Sequence, residues 1–259
     1  MAQERALSLA GVHNFRDYGG YRTAGGGTVA RGVLWRSAQH VDATDADLAA
    51  IDALGIVDVI DFRGASERAN YPCRRSTRFD AAITRYDGET AALAPHVEAG
   101  AAGVTPERAH ERMEAMYAKL PAREPVLWVM RRYFAILAQG RGPSLVHCLA
   151  GKDRTGMAVA LLHHVLGVHP DDAMADFLLT NTVGNMDARV AAGGAAVRAK
   201  YGEMSDAAIR VLMGVDARYL DAMRRAVTQQ YGSLDDFLTK ALGVDEAMYA
   251  ALRLHLVEQ

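Results

Sequence analysis

The chain has 259 residues, half of them hydrophobic, with 29 lysines and arginines against 31 aspartates and glutamates and a formal net charge of −2. That length and apolar content suit one large domain with a sizeable core, and the charge balance gives no support for a nucleic-acid-binding surface. No apolar run approaches the roughly 20 residues of a membrane span, and Met1–Ser8 lacks the apolar core of a secretory signal, so a cytoplasmic protein is expected, with signal-independent export left open.

The first 35 residues are rich in glycine turns, with Gly32–Trp35 compatible with an edge strand. Asn14, Arg16 and Asp17 read first as turn-fixing side chains that bond the backbone. Asp42, Thr44 and Asp47 offer N-caps to a helix carrying Leu48, Ile51 and Leu54. Gly55 stops that helix and Ile56–Ile60 follows as a strand, an order that signals a parallel crossover. Asp61 and Arg63 then fall at a strand's C-terminal edge, where the sites of open α/β sheets collect. They are either site residues or a structural ion pair.

Residues 64–87 look loop-rich, with a possible strand near 81–86 and a turn at Asp87-Gly88. Residues 89–103 are rich in Ala and Gly with weak periodicity, a pattern compatible with mobility. Thr105-Pro106-Glu107 starts a helix over Ala109–Leu120. Pro121 and Pro125 break the chain, and Val126–Ala138 is amphipathic, with Leu127, Met130, Phe134 and Leu137 on one side. Cys73 reads as structural or incidental, and two cysteines do not suggest a disulfide framework.

The rest of the chain is organised around His147-Cys148-Leu149-Ala150-Gly151-Lys152-Asp153-Arg154-Thr155-Gly156. It follows the apolar run Ser144–Val146 and leads into the apolar stretch Met157–Leu166, a strand, a tight polar loop and a helix. Backbone N–H groups from Leu149, Ala150, Gly151 and Lys152 onward can curl around one tetrahedral anion at the helix N-terminus. Arg154, separated from Cys148 by five residues, adds a planar fork for two of the anion's oxygens. A thiol facing those donors is expected to be held as the nucleophilic thiolate. This spacing predicts displacement at phosphorus by Cys148, a phosphocysteine, and its hydrolysis. Arg154 and the loop N–H groups would stabilise the transition state.

Thr155 can donate a hydrogen bond to the sulfur, and His147 is expected to orient the loop from below. Asp153, inside the loop, leads the candidates for general acid, with Asp87 second and Asp61 third. Lys152 can steer anionic substrates, contact a second phosphate, or merely balance loop charge. A nucleotide-binding loop competes poorly, because Lys152 is followed by Asp153 and not by Ser or Thr. No metal or cofactor is called for; the histidines form no His-Glu-x-x-His pattern, and His163-His164 reads as packing. Beyond Gly167, Asp171 or Asp172 starts another helix that reaches about Asn181. Residues 182–226 carry short helices that either cap the site or pack on the sheet's flank. Ser233 caps a final pair of helices ending near Val257.

The stretch His147-Cys148 to Thr155 resembles the signature of an atypical bacterial protein-tyrosine phosphatase family, of the PtpB and LipA type. Asn14–Gly20, Arg36-Ser37-Ala38, the Leu54–Glu67 block and Tyr231–Phe237 add to the resemblance, which spans residues 13–238. It implies an α/β fold with a central, mainly parallel sheet of about four parallel strands flanked by helices, and a helical lid insertion around 182–226 of a single domain. It also implies hydrolysis of phosphotyrosine, often with phosphoserine, phosphothreonine or phosphoinositides, on phosphoprotein or phosphoinositide substrates. The same resemblance associates Lys152 with lipid phosphates and favours Asp153 as the acid. A dedicated phosphoinositide or inositol phosphate phosphatase, a sulfurtransferase and a catalytically silent phospho-ligand reader stand as alternatives. Oligomeric state is not legible.

Overall fold

In the computed structural model of the chain, residues 5–90, 104–184, 186–201 and 203–259 are described. The Ala- and Gly-rich stretch 91–103, for which mobility was an expectation, lies outside the described residues. The strands are β1 (Arg16–Asp17), β2 (Thr28–Val29), β3 (Leu34–Ser37), β4 (Asp58–Asp61), β5 (Ala82–Arg85), β6 (Ser144–His147) and β7 (Val257–Glu258). Five of them form one sheet in the order β1-β3-β6-β4-β5. The pairings β3–β6, β6–β4 and β4–β5 are parallel and only the short edge strand β1 runs against its neighbour. The mainly parallel α/β architecture expected from sequence is therefore present.

Side chains alternate across the sheet, as a period of two requires. Leu34, Ile60 and Val146 enter the larger core with Val126, Met130 and Phe134 of α4 (Glu124–Leu137) and Met157, Leu161 and Leu162 of α5 (Asp153–Leu166). Val59 and Leu145 point to the other face, against Val12, Phe15 and Leu48 of α1 (Asp45–Asp52). Burial on both faces explains why these strands read as apolar runs in the sequence. Helix α1 starts with a reciprocal capping box: Asp47 N–H donates to the Thr44 hydroxyl at 3.1 Å, and Thr44 N–H donates to Asp47 at 2.9 Å. Asp47 also accepts from Ala10 and Gly11 N–H, which ties the N-terminal segment over α1.

Three sequence expectations change. Residues 64–87 hold a helix, α2 (Ala65–Asn70), and α6 (Pro170–Leu178) is capped by His169, with Pro170 in its first turn, instead of by Asp171 or Asp172. The stretch 182–226 is not one unit. Following α3 (Pro106–Lys119) and α7 (Thr180–Val183), helices α8 (Met186–Tyr201) and α9 (Asp206–Met213) share a small separate core. Val104, Ala109, Met204, Ala208 and Ile209 build it, with Val190 and Val197 packed on. From Ala217 onward the chain is α10 (Ala217–Tyr231), whose Tyr219, Leu220, Met223 and Val227 are buried in the main core. Helices α11 (Leu234–Leu242) and α12 (Glu246–Leu256) close the fold. Among the described residues no helix is long and apolar enough to cross a membrane.

Candidate active site

Cys148 follows β6 directly, at the C-terminal edge of the parallel strands, and is 1% exposed. The loop that follows it has idle donors. Among the described residues, no backbone N–H from Leu149 to Thr155 donates to a protein acceptor; the first that does is Gly156, to Lys152 O at 2.9 Å. Such a row of unsatisfied N–H groups at a helix N-terminus is an anion cradle.

The loop is held in this shape from beneath. Gly151 has φ of +64°, and a Cβ there would lie 2.2 Å from the Ser37 carbonyl oxygen, so only glycine fits. Its own carbonyl accepts from Asn14 Nδ2 at 2.8 Å and from Arg36 Nη2 at 3.0 Å. Arg36 Nη1 pairs with Asp176 at 2.8 Å, and Arg16 reaches the same carboxylate at 3.3 Å. All three charged side chains are fully buried. Burial opposes the charge on Asp176, but the two guanidinium groups hold its carboxyl well below the usual carboxylate range. Burial, then the charge of Arg36, lowers Arg16 to about 10. Arg16 also donates to Asn14 Oδ1. Asn14 and Arg16, read from sequence as turn-fixing, thus belong to a network beneath the loop, whereas Asp17 does bond its turn, accepting from Gly19 and Gly32 N–H.

Arg154, on the first turn of α5, is gripped at one end. Its Nη1 and Nη2 meet the two carboxylate oxygens of Glu67 at 2.6 and 2.7 Å, a bidentate pair. Nη1 also donates to Phe62 O at 3.0 Å and Thr90 Oγ1 at 2.8 Å. A guanidinium has five N–H donors, so among the described residues Nε–H and one Nη2–H remain for an anion. Glu67 sits on α2, whose N-terminus it also secures by accepting from Gly64 N–H at 2.9 Å. Burial works against its charge, but the hydrogen bond and charge of Arg154 keep its pKa below the ordinary glutamate value.

Of the supporting residues named from sequence, Asp61, Arg63 and His147 meet at the C-terminal ends of β4 and β6. Asp61 and Arg63 form a buried ion pair at 2.8 Å, and Arg63 also donates to Tyr71 O at 2.6 Å. Asp61 is 3.8 Å from His147. Burial disfavours the Asp61 carboxylate, but His147 and Arg63 lower its pKa to about 2. Burial pushes His147 down to about 4, so it is neutral near pH 7. Neither ring nitrogen of His147 has a hydrogen-bond partner among the described residues. The ring stacks on His40 at 5.6 Å between centroids. The expected hydrogen bond from Thr155 to the sulfur is not formed: Thr155 Oγ1 is buried with no partner among the described residues.

Asp153 stands over the loop, partly exposed, 3.5 Å from Lys152 Nζ. One of its carboxylate oxygens, Oδ1, is buried with no hydrogen-bond partner among the described residues. The Tyr117 hydroxyl, also buried and without a partner among the described residues, is raised well above the ordinary tyrosine range by burial and then by Asp153. Lys152 does not point its ammonium at the cradle. Its Nζ donates to Leu212 O at 2.7 Å and Gly214 O at 3.0 Å, at the end of α9. Asp87 is exposed just past β5 and enters none of these contacts.

Sequence reading singled out neither Glu67, Thr90, Arg36 nor Asp176 as site residues. Arg36 and Glu67 stood in blocks that carried the family resemblance, which was the only signal available for them. Among the described residues no cluster of three or more His, Cys, Asp or Glu side chains could hold a metal ion.

Residues 7–258 match the sequence profile described as "Tyrosine phosphatase family". A Cupriavidus necator protein provisionally named a tyrosine-protein phosphatase is 36% identical over 246 residues, covering 93% of this chain and 85% of that protein. The triple specificity protein phosphatase PtpB of Mycobacterium tuberculosis is 31% identical over 276 residues, covering 95% and 96%. A tyrosine-protein phosphatase of Nostoc commune is 29% identical over 231 residues, covering 82% and 70%.

Proposed function

Since this chain belongs to the tyrosine phosphatase family and is a cysteine-dependent phosphatase, we propose that it hydrolyses phosphotyrosine, together with phosphoserine, phosphothreonine and phosphoinositide monoesters, through a phosphocysteine intermediate on Cys148. The observation that carries this reading is the juxtaposition of a buried thiol, a loop whose N–H groups have no protein acceptor, and an arginine braced by Glu67 with two donors left over.

The phosphate oxygens accept from the Leu149–Thr155 N–H groups and from Nε and Nη2 of Arg154. That places phosphorus in front of the Cys148 sulfur. The sulfur attacks, the bond to the ester oxygen breaks, and Asp153 passes its proton to the departing oxygen. Asp153 then takes a proton from the attacking water, the S–P bond breaks, and phosphate and the free thiolate result. The same donors face the equatorial oxygens in both steps, so one rigid cradle serves both transition states. The bracing by Glu67, Phe62 O and Thr90 fixes the fork before substrate arrives, so that little reorganisation is needed.

The name of the Mycobacterium relative, a triple specificity phosphatase, supports the wide substrate range. The engagement of Lys152 with Leu212 and Gly214 favours a role for it in seating α9 over the loop, and the α8–α9 pair is proposed as the lid. The test is phosphate release, with EDTA present, from phosphotyrosine, phosphoserine and phosphothreonine peptides and several phosphoinositides, by wild type and Cys148→Ser. Turnover blocked by orthovanadate and lost in the variant is the expected result. Activity on phosphoinositides alone would replace the broad assignment with a lipid phosphatase.

A further inference from the structure

Helix α8 carries a further arginine, Arg189. Arg189 Nη1 is buried and has no hydrogen-bond partner among the described residues. A buried guanidinium N–H with no acceptor is costly to leave unmade, which makes its surroundings informative. The group lies against the joint between α7 and α8, where a Cβ on Gly184 would come 3.5 Å from Nη1. Asp187, the nearest acidic neighbour on the helix, is turned away and paired with Arg210 of α9. Burial lowers the pKa of Arg189, and its offsetting neighbours are Asp153 and Cys148. Lys152 and His13 both sense Arg189 as a positive neighbour. Gly184 also lies against Thr180, whose Oγ1 is 3.5 Å from Asn14 Nδ2, the donor to the Gly151 carbonyl, so Arg189 stands beside the network that carries the cradle. Meanwhile Lys152, the other cation of the loop, has its ammonium committed to Leu212 O and Gly214 O.

We propose that Arg189 is a further phosphate-binding residue: with α8 and α9 seated by Lys152, its free Nη1 donates to an oxygen of the phosphoryl group held on the cradle, as a second guanidinium opposite Arg154. The proposal rests on the phosphatase reading of the site. It assigns to α8 a chemical role and not merely the exclusion of water. A cation delivered by a closing element faces charge as it develops on the transferring group, where a fixed donor is most effective.

The test uses the full-length chain and tungstate, an inorganic oxyanion that needs no turnover. Its dissociation constant is measured by calorimetry for wild type, Arg189→Gln and Arg189→Lys, with kcat and KM on an aryl phosphate and a thermal unfolding scan for each. Loss of one charge-assisted hydrogen bond predicts roughly 10- to 100-fold weaker tungstate binding in Arg189→Gln. A comparable loss in kcat/KM, partial recovery in Arg189→Lys and an unchanged unfolding temperature complete the expected result. Tungstate affinity and kcat/KM within about twofold of wild type would overturn the proposal. So would an effect confined to substrates that carry a second anionic group, with tungstate binding intact. A lowered unfolding temperature together with equal loss in the Lys and Gln variants would reduce Arg189 to a packing residue. A wild-type protein that neither binds tungstate nor releases phosphate would instead sink the phosphatase reading itself.

Discussion

Arg36 Nη2 donates to the Gly151 carbonyl at 3.0 Å while its Nη1 holds Asp176 at 2.8 Å. One buried side chain thus ties the tightest point of the cradle to α6. The neighbouring Arg16 shares the same carboxylate, so two guanidinium groups depend on one counter-charge. Removing that charge leaves both uncompensated in the interior. Asp176→Asn is expected to lose about 3–5 kcal/mol of stability, seen as a lower urea midpoint with an unchanged slope. A midpoint within experimental error of wild type would show that the network is not what holds the loop.

Glu67 poses a different question, because it contacts no substrate in the proposed reaction. Glu67→Gln keeps the side chain's size and removes the charge that fixes Arg154. The fork should become misaligned, with kcat/KM falling about 10- to 100-fold, the scale of one lost charge-assisted hydrogen bond. The far-UV spectrum should stay the same. The acid limb should also report Glu67: its pKa is lowered in the folded protein, so pairing is complete above the ordinary glutamate value. It is lost as pH falls through the lowered folded value. A kcat/KM equal to wild type in Glu67→Gln would make the bracing irrelevant to catalysis.

These two residues also show what the sequence could and could not reveal. The strand, loop and helix around Cys148 were legible because the chemistry is local: nucleophile, N–H groups and Arg154 follow one another in a few residues. Glu67 is 87 positions from Arg154, and Asp176 is 140 from Arg36; no spacing rule joins them. Helix α2 escaped notice because none of its residues is buried, so it has no apolar stripe for periodicity to detect. Its N-terminal end is secured instead by Glu67 and by Glu89, which accepts from Ser66 N–H at 2.8 Å. The division of 182–226 was hidden for a related reason. Helices of the satellite core and of the main core carry similar apolar spacings, and only tertiary contact tells them apart.

The assignment of the acid is tested by leaving groups. If Asp153 supplies the proton, Asp153→Asn should slow hydrolysis of an alkyl phosphate such as phosphoserine by roughly 10²–10⁴-fold. Hydrolysis of p-nitrophenyl phosphate, whose leaving oxygen needs little help, should suffer less. Asp87→Asn, exposed and outside the site's contacts, should match wild type on both. Equal losses on the two substrates in Asp153→Asn, or a loss in Asp87→Asn alone, would reassign the role.

Lys152 links the cradle to α9 through two carbonyls. Lys152→Met keeps the length of the stem and removes the donors, so the seat of α9 should loosen. Hydrogen exchange of amides in α9 (Asp206–Met213) is expected to speed up, while amides of the buried strand β6 should not change. Unaltered exchange in α9 would mean that the satellite core alone keeps it in place.

The buried histidines set the stability of the whole arrangement against acid. His147 is lowered to about 4, and burial likewise lowers His40 and His163. In the unfolded chain each takes a proton near pH 6.5, so the unfolded state binds more protons between that value and the lowered folded one. Stability is therefore complete above about pH 6.5 and falls as pH drops through that window. For His147 the loss is on the order of 3 kcal/mol by pH 4, since a tenfold difference in proton affinity between the two states corresponds to about 1.4 kcal/mol. Below its folded pKa its contribution stops changing. Urea midpoints measured from pH 7.5 to 4 should decline steadily in wild type. His147→Gln has no proton to take up there and should lose stability with a shallower slope, leaving the share due to His40 and His163. Parallel curves for the two proteins would show that His147 is not held neutral beneath the loop.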